Sequence, residues 1–111
     1  MVGVTGVWYH MNPANAEWRT YASQRIARDI IGPEALGYDG LLLDNVELSL
    51  KKLTDQVENR DGTVLEFASD ADYQSAWATY LGQIRASAGP ETQLWANMVS
   101  DLNIGSTWAL Y

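Results

Sequence analysis

The run Gly37-Tyr38-Asp39-Gly40-Leu41-Leu42-Leu43-Asp44-Asn45-Val46 constrains the fold more than any other part of this chain. A turn carrying two glycines leads into three consecutive leucines, and the run closes on an acid followed by an amide. A continuous apolar run of this length suits a strand buried on both faces, as in parallel sheets covered by helices. Asp44 then falls at the carboxyl end of that strand, the edge where parallel α/β folds place their chemistry. Asp39 precedes the strand, on the opposite edge, and reads as a turn residue holding Gly40.

The flanking segments alternate in character. Val2 to Tyr9 is β-branched and aromatic and reads as a strand ending in His10-Met11-Asn12-Pro13. Pro13 and Asn15 prepare a helix start, and Trp18, Tyr21, Ala22, Ile26 and Ile30 keep helical spacing from Ala16 to about Ile31. Gly32-Pro33 stops that helix, and the Gly40–Val46 strand follows. From Glu47 to Ser69 the pattern is mixed: Leu48, Leu50 and Leu53 fit a short helical turn, and Asn59-Arg60-Asp61-Gly62 is a turn signal. A connection this long, where roughly 2 to 6 residues would do, is usually a functional loop or a disordered one. Ser69 or Asp70 then caps a helix with Tyr73, Ala76, Trp77, Tyr80, Leu81 and Ile84 on one face, ended by Ala88-Gly89-Pro90. Gln93 to Val99 is the last strand, followed by a Gly105-containing segment up to Tyr111.

The order β-α-β-loop-α-β predicts an α/β fold of parallel βα units with about three strands. At 111 residues the chain is under half of the roughly 250 that a (β/α)8 TIM barrel needs. Residues 1–111 therefore read as a central fragment of such a barrel. The other reading is a complete small α/β domain, which should show polar, capped ends.

Composition narrows the partners. A net charge of −7 speaks against nucleic acid, because phosphate binding needs a basic face. There is no cysteine for disulfides, thiolate chemistry or a Cys-based zinc site, and one histidine leaves no zinc triad. Asp39, Asp44 and Glu47 lack the alternate-residue spacing of a calcium loop, so no metal or other cofactor is expected. Neither a G-x-S-x-G elbow nor a glycine-rich phosphate loop is present. No apolar run reaches the roughly 18 residues of a membrane span, and no membrane partner is expected. The first residues also lack the basic and apolar regions of a signal peptide.

The strand ends carry the site. His10 and Asn12, Asp44 and Asn45, and Asn97 all sit where strands stop, and in a barrel these ends share one rim. Alternation puts Leu42 with Asp44 on one side of their strand, and Trp95 with Asn97 on one side of theirs. Carboxylates and amides hydrogen-bond hydroxyls, and aromatic rings cover the apolar faces of sugars, so this set suits a carbohydrate. The chain holds five tryptophans and six tyrosines for such covering. Each residue has a second reading. Asp44 suits an Asx-type cap of the following turn, Asn45 and Glu47 a solvated loop, and His10 a satisfied structural histidine. Asn97, in an apolar strand, must find partners if buried. Trp8, Trp18 and Trp77 read as core, and Trp95 as the sugar platform.

Met11-Asn12-Pro13 followed by Glu17-Trp18-Arg19-x-Tyr21, with Gly37 to Val46 after it, resembles a group of (β/α)8-barrel glycoside hydrolases. These are the hypothetical glycoside hydrolase family 15-like proteins and, more distantly, the endo-α-1,4-polygalactosaminidase group. Their pattern is an N-P-x-x-x-x-W-R-x-Y helix start and a G-[FY]-D-G-[VL]-[FL]-L-D-[NDT]-V strand. Leu94-Trp95-Ala96-Asn97 looks like the next strand of that barrel. The similarity spans nearly the whole chain, with the Asp44 strand its most specific part. The resemblance implies that Asp44 is the strand-four acid, one member of a catalytic carboxylate pair. It also implies an extracellular protein. The second carboxylate usually comes from a later strand. Glu47 and Glu66 are the nearby substitutes, so the chain alone is expected to be inactive and the full-length protein to be a glycosidase. The rival is a non-catalytic or degenerate carbohydrate-binding barrel, and a third possibility is a metal-assisted hydrolase using Asp44 with Glu47.

Overall fold

The computed structural model describes residues 11–50 and 66–99. The expected Val2–Tyr9 strand, with Trp8 and His10, lies outside these residues, as does the Asn59–Gly62 turn. The first element among the described residues is helix α1, Ala16–Ile26, which runs on into a π-helical turn over Ala27–Ile31. Strand β1 spans Gly40–Glu47, helix α2 Asp70–Ala88 and strand β2 Gln93–Val99. The two strands pair in parallel, so the architecture is α/β. Two described strands fall short of the expected three and do not by themselves make a barrel.

Local chemistry explains where each element begins. Asn15 caps α1 by accepting the Trp18 N–H on its side-chain oxygen at 2.8 Å, and Ser69 Oγ does the same for the Asp72 N–H of α2 at 3.2 Å. Gly89 closes α2 at φ +87°, a left-handed conformation that glycine adopts without strain. Arg85 then straps the turn into β2, donating through Nη1 to the carbonyls of Gly89 and Thr92 at 3.0 and 2.6 Å. The expected helix up to Ile31 is present, but its last turn widens to the π form.

Both helices pack on one face of the sheet. Leu41, Tyr80 and Ile84 form the buried cluster, with Trp18, Ala22, Ile26, Leu43, Trp77 and Leu94 packed around it. The ring of Trp18 lies 4.8 Å from that of Tyr80, joining α1 to α2. Arg19 adds a polar tie, donating through Nε to Gln83 and through Nη1 to the Pro13 carbonyl, each at 2.8 Å. The other face of the sheet is uncovered among the described residues: Leu42 is 68% and Trp95 55% exposed. The Leu41–Leu43 run is thus covered on one face rather than two, because the only described helices lie on the same side. Tyr21, expected on the inner face of α1, is also exposed and meets Arg25 instead.

Gly40 shows why the strand must start on glycine. A Cβ there would lie 2.7 Å from Trp95 Cζ3 and 2.8 Å from the Gln93 carbonyl, so the Trp95 ring occupies the space above it. Gly40→Ala is expected to displace the ring and cost about 1–3 kcal/mol, the usual range for overpacking. Urea unfolding, with the exposure of Trp95 followed by acrylamide quenching, measures both effects.

Candidate functional site

The site is built by an irregularity in β1. The register runs Leu42 to Trp95 and Leu43 to Ala96, then resumes with Val46 opposite Met98. Asp44 and Asn45 therefore share a single partner position, Asn97, which is a β-bulge. Asn45 takes the extra turn at φ +56°, a left-handed conformation in which asparagine is enriched among non-glycine residues. The bulge reverses the alternation beyond it: Val46 turns toward the helices and is fully buried.

At this point a side-chain bond joins the two strands. Asn97 Nδ2 donates to Asp44 Oδ1 at 2.7 Å, and the Asn45 backbone N–H donates to the same oxygen at 3.0 Å. A carboxylate can only accept, which fixes the amide nitrogen of Asn97 as the group facing it. The bond from Asn45 comes from the adjacent residue and does not make the Asx-type cap of the following turn. Asn97 finds its partner as expected, although it is exposed rather than buried. In a parallel pair, side chains at matched positions point to the same side, so Asp44 and Asn97 share the uncovered face with Leu42 and Trp95. Trp95 precedes Asn97 by two residues and leans over Gly40, toward the amino end of the strands.

The exit from β1 is pinned to the start of α2. Gln74 Nε2 donates to the Leu48 carbonyl at 2.7 Å, and Asp70 Oδ1 accepts the Leu50 N–H at 2.8 Å. The α2 N-terminus therefore sits at the carboxyl end of β1, beyond Asp44. Glu47 is buried at that end rather than part of a solvated loop.

Of the other expected site residues, Asn12 is a turn former: its Oδ1 accepts the Ala14 N–H at 2.8 Å, and its carbonyl accepts the Asn15 N–H at 3.1 Å. No bond joins it to Asp44. Asn45 belongs to the site through its backbone and the bulge. His10 lies outside the described residues. Asp39, placed at the amino edge as expected, opens the ladder by accepting the Gln93 N–H on its carbonyl at 3.0 Å. Among the described residues no three His, Cys, Asp or Glu side chains gather into a set able to hold a metal ion.

Sequence reasoning missed one surface feature. A shallow cleft of about 670 Å³ opens between the π-helical turn and the end of α2, lined by Gln24, Arg28, Pro33, Glu34 and Ser87. It lies at the carboxyl ends of the helices, whereas Asp44 lies on the uncovered face of the sheet. Its lining mixes these charged and polar side chains with Ala27 and Gly32 and carries no sequence signature. Comparison with known proteins gives no match, whether to a family model, a curated sequence or a solved structure. Among the described residues no helix is long and apolar enough to cross a membrane.

Proposed function

We propose that the chain forms the central part, with about three strands, of a (β/α)8-barrel glycoside hydrolase in which Asp44 is one of two carboxylates that cleave an O-glycosidic bond. The observation that carries this reading is the Asp44–Asn97 bond in the carboxyl halves of two parallel strands, on a face that also bears an exposed tryptophan. Catalytic groups of parallel barrels lie at the carboxyl edge, and a carboxylate beside an amide and an indole matches the hydroxyls and apolar ring faces of a sugar. The helices support the barrel: both cover the outer side of the sheet, and Leu42 and Trp95 on the other side suit an interior closed by further strands. Asp44 would act as nucleophile, base or acid according to its separation from the second carboxyl, which sets the stereochemical outcome. Asn45 and Trp95, with Asn12 and His10, would position the sugar. An extracellular location belongs to the same proposal, with the full-length protein expected in the culture medium of its source.

The test is turnover. The full-length protein is incubated with soluble α- and β-linked neutral and amino-sugar polysaccharides, and reducing ends are counted alongside binding by calorimetry. New reducing ends from at least one polymer are expected. Binding without cleavage would instead identify a carbohydrate-binding barrel, and neither binding nor cleavage would remove the sugar reading. Cleavage that survives exhaustive chelation would remove a metal-assisted route through Asp44 and Glu47.

A further inference from the structure

We infer that Asn97 acts through Asp44, as a positioning residue that holds one carboxylate oxygen so that the other is presented to substrate. This rests on the reading of Asp44 as a catalytic carboxylate and gives Asn97 a role other than direct contact with the sugar.

Three features of the site converge on it. Asn97 Nδ2 lies 2.7 Å from Asp44 Oδ1, within the short range of hydrogen bonds to a charged acceptor. The Asn45 N–H adds a second donor at 3.0 Å to the same oxygen, and Oδ2 receives neither bond. The two donors come from different strands, so the carboxylate cannot turn about its Cβ–Cγ bond without losing both. Finally, the bulge creates the arrangement. Setting Asp44 and Asn45 together opposite Asn97 lets the amide of β2 and the backbone of β1 meet one oxygen, which an unbroken ladder would not do. Asn45 holds φ +56° to make this possible.

The chemical consequence is directional. A carboxylate that attacks a carbon or takes a proton does so with one oxygen along one line, and misplacement of the reacting atom by about 1 Å can cost on the order of 100-fold in rate. Anchoring Oδ1 leaves Oδ2 as the reacting oxygen. The anchor does not touch substrate, so its removal should lower turnover and leave substrate binding nearly unchanged. A residue that bonded the sugar equally in ground and transition states would do the reverse, raising KM with kcat held.

The experiment uses the full-length protein and the polysaccharide that it turns over fastest, with kcat and KM measured for Asn97→Ala, Asn97→Gln, Asn97→Asp and Asp44→Asn. Asn97→Ala is expected to lower kcat roughly 10- to 100-fold, the span of a hydrogen bond to a charged group, with KM within about a factor of two. Asn97→Gln keeps the amide and should recover part of that loss. Asn97→Asp replaces the donor with a like charge and should fall below Asn97→Ala. Should Asn97→Ala fail to fold, Asn97→Ser carries the same comparison. A raised KM at constant kcat would overturn the inference in favour of direct sugar contact. Unchanged kinetics in Asn97→Ala, with Asp44→Asn inactive, would overturn it while leaving the Asp44 reading intact. Full activity in Asp44→Asn, or no turnover by the unmodified protein, would remove the Asp44 reading and the inference with it.

Discussion

Asp44→Asn in the full-length protein is expected to lower polysaccharide hydrolysis roughly 10²- to 10⁴-fold, the contribution typical of a positioned acid or base. The substitution preserves shape, and the new side-chain oxygen can still accept from Asn97 and from the Asn45 N–H. Stability and glycan affinity should therefore stay close to those of the parent, and the loss should fall on kcat. A change confined to KM would mean that Asp44 holds the sugar without taking part in bond cleavage. Asp44→Ala is the harsher companion. It abandons two donors that converge on Oδ1, and some loss of order at the bulge is expected with it.

The second large effect concerns the core. Ile84→Ala should destabilise the fold by about 2–5 kcal/mol, the range for truncating a buried aliphatic side chain. Ile84 is 1% exposed and sits in one cluster with Leu41 and Tyr80, flanked by Trp18, Trp77 and Leu94. These neighbours belong to both helices and both strands, and their rings and branched chains cannot all collapse into the space left. The urea midpoint should fall with little change in slope. Leu42→Ala is the contrasting variant. In the 111-residue chain, where it is 68% exposed, it should move stability by no more than about 0.5 kcal/mol, as surface substitutions usually do. Full-length protein in which Leu42→Ala costs as much as Ile84→Ala would show that further strands cover that face, as the barrel proposal requires.

Ile84 on α2 and Leu42 on β1 mark where the sequence was informative and where it was not. The two described strands, the Asn15 and Ser69 caps and the end of α2 at Gly89 were legible because each has a local cause: a side-chain acceptor, a left-handed turn or an apolar run. Asp44 and Asn97 were expected where their strands stop, but pairing resumes beyond the bulge and carries β1 to Glu47 and β2 to Val99. An apolar run alone, however, cannot distinguish one covered face from two, and Leu42 lies open where burial was expected. The bulge left no periodic trace either. It is a backbone choice made at Asn45, visible in sequence only as an Asp-Asn pair, and it decides both the burial of Val46 and the meeting of Asn97 with Asp44. Pairing register is a non-local property, so the bond at the centre of the site required the fold. Asn12 shows the converse. It was expected at a strand end that lies outside the described residues, and its side chain is engaged in the local turn before α1.

The central claim is that sugar is recognised on the Asp44 face of the sheet. Side-chain amide and indole ¹⁵N–¹H spectra of the full-length protein, titrated with oligosaccharides cut from the polymers that it binds, test this most directly. The account predicts that the signals of Asn97, Asn45 and the Trp95 indole shift together and saturate at one affinity, while the Trp18 and Trp77 indoles stay in place. Shifts confined to Gln24 and its neighbours in the cleft beside the π-helical turn, with Asn97 and Trp95 unmoved, would contradict it.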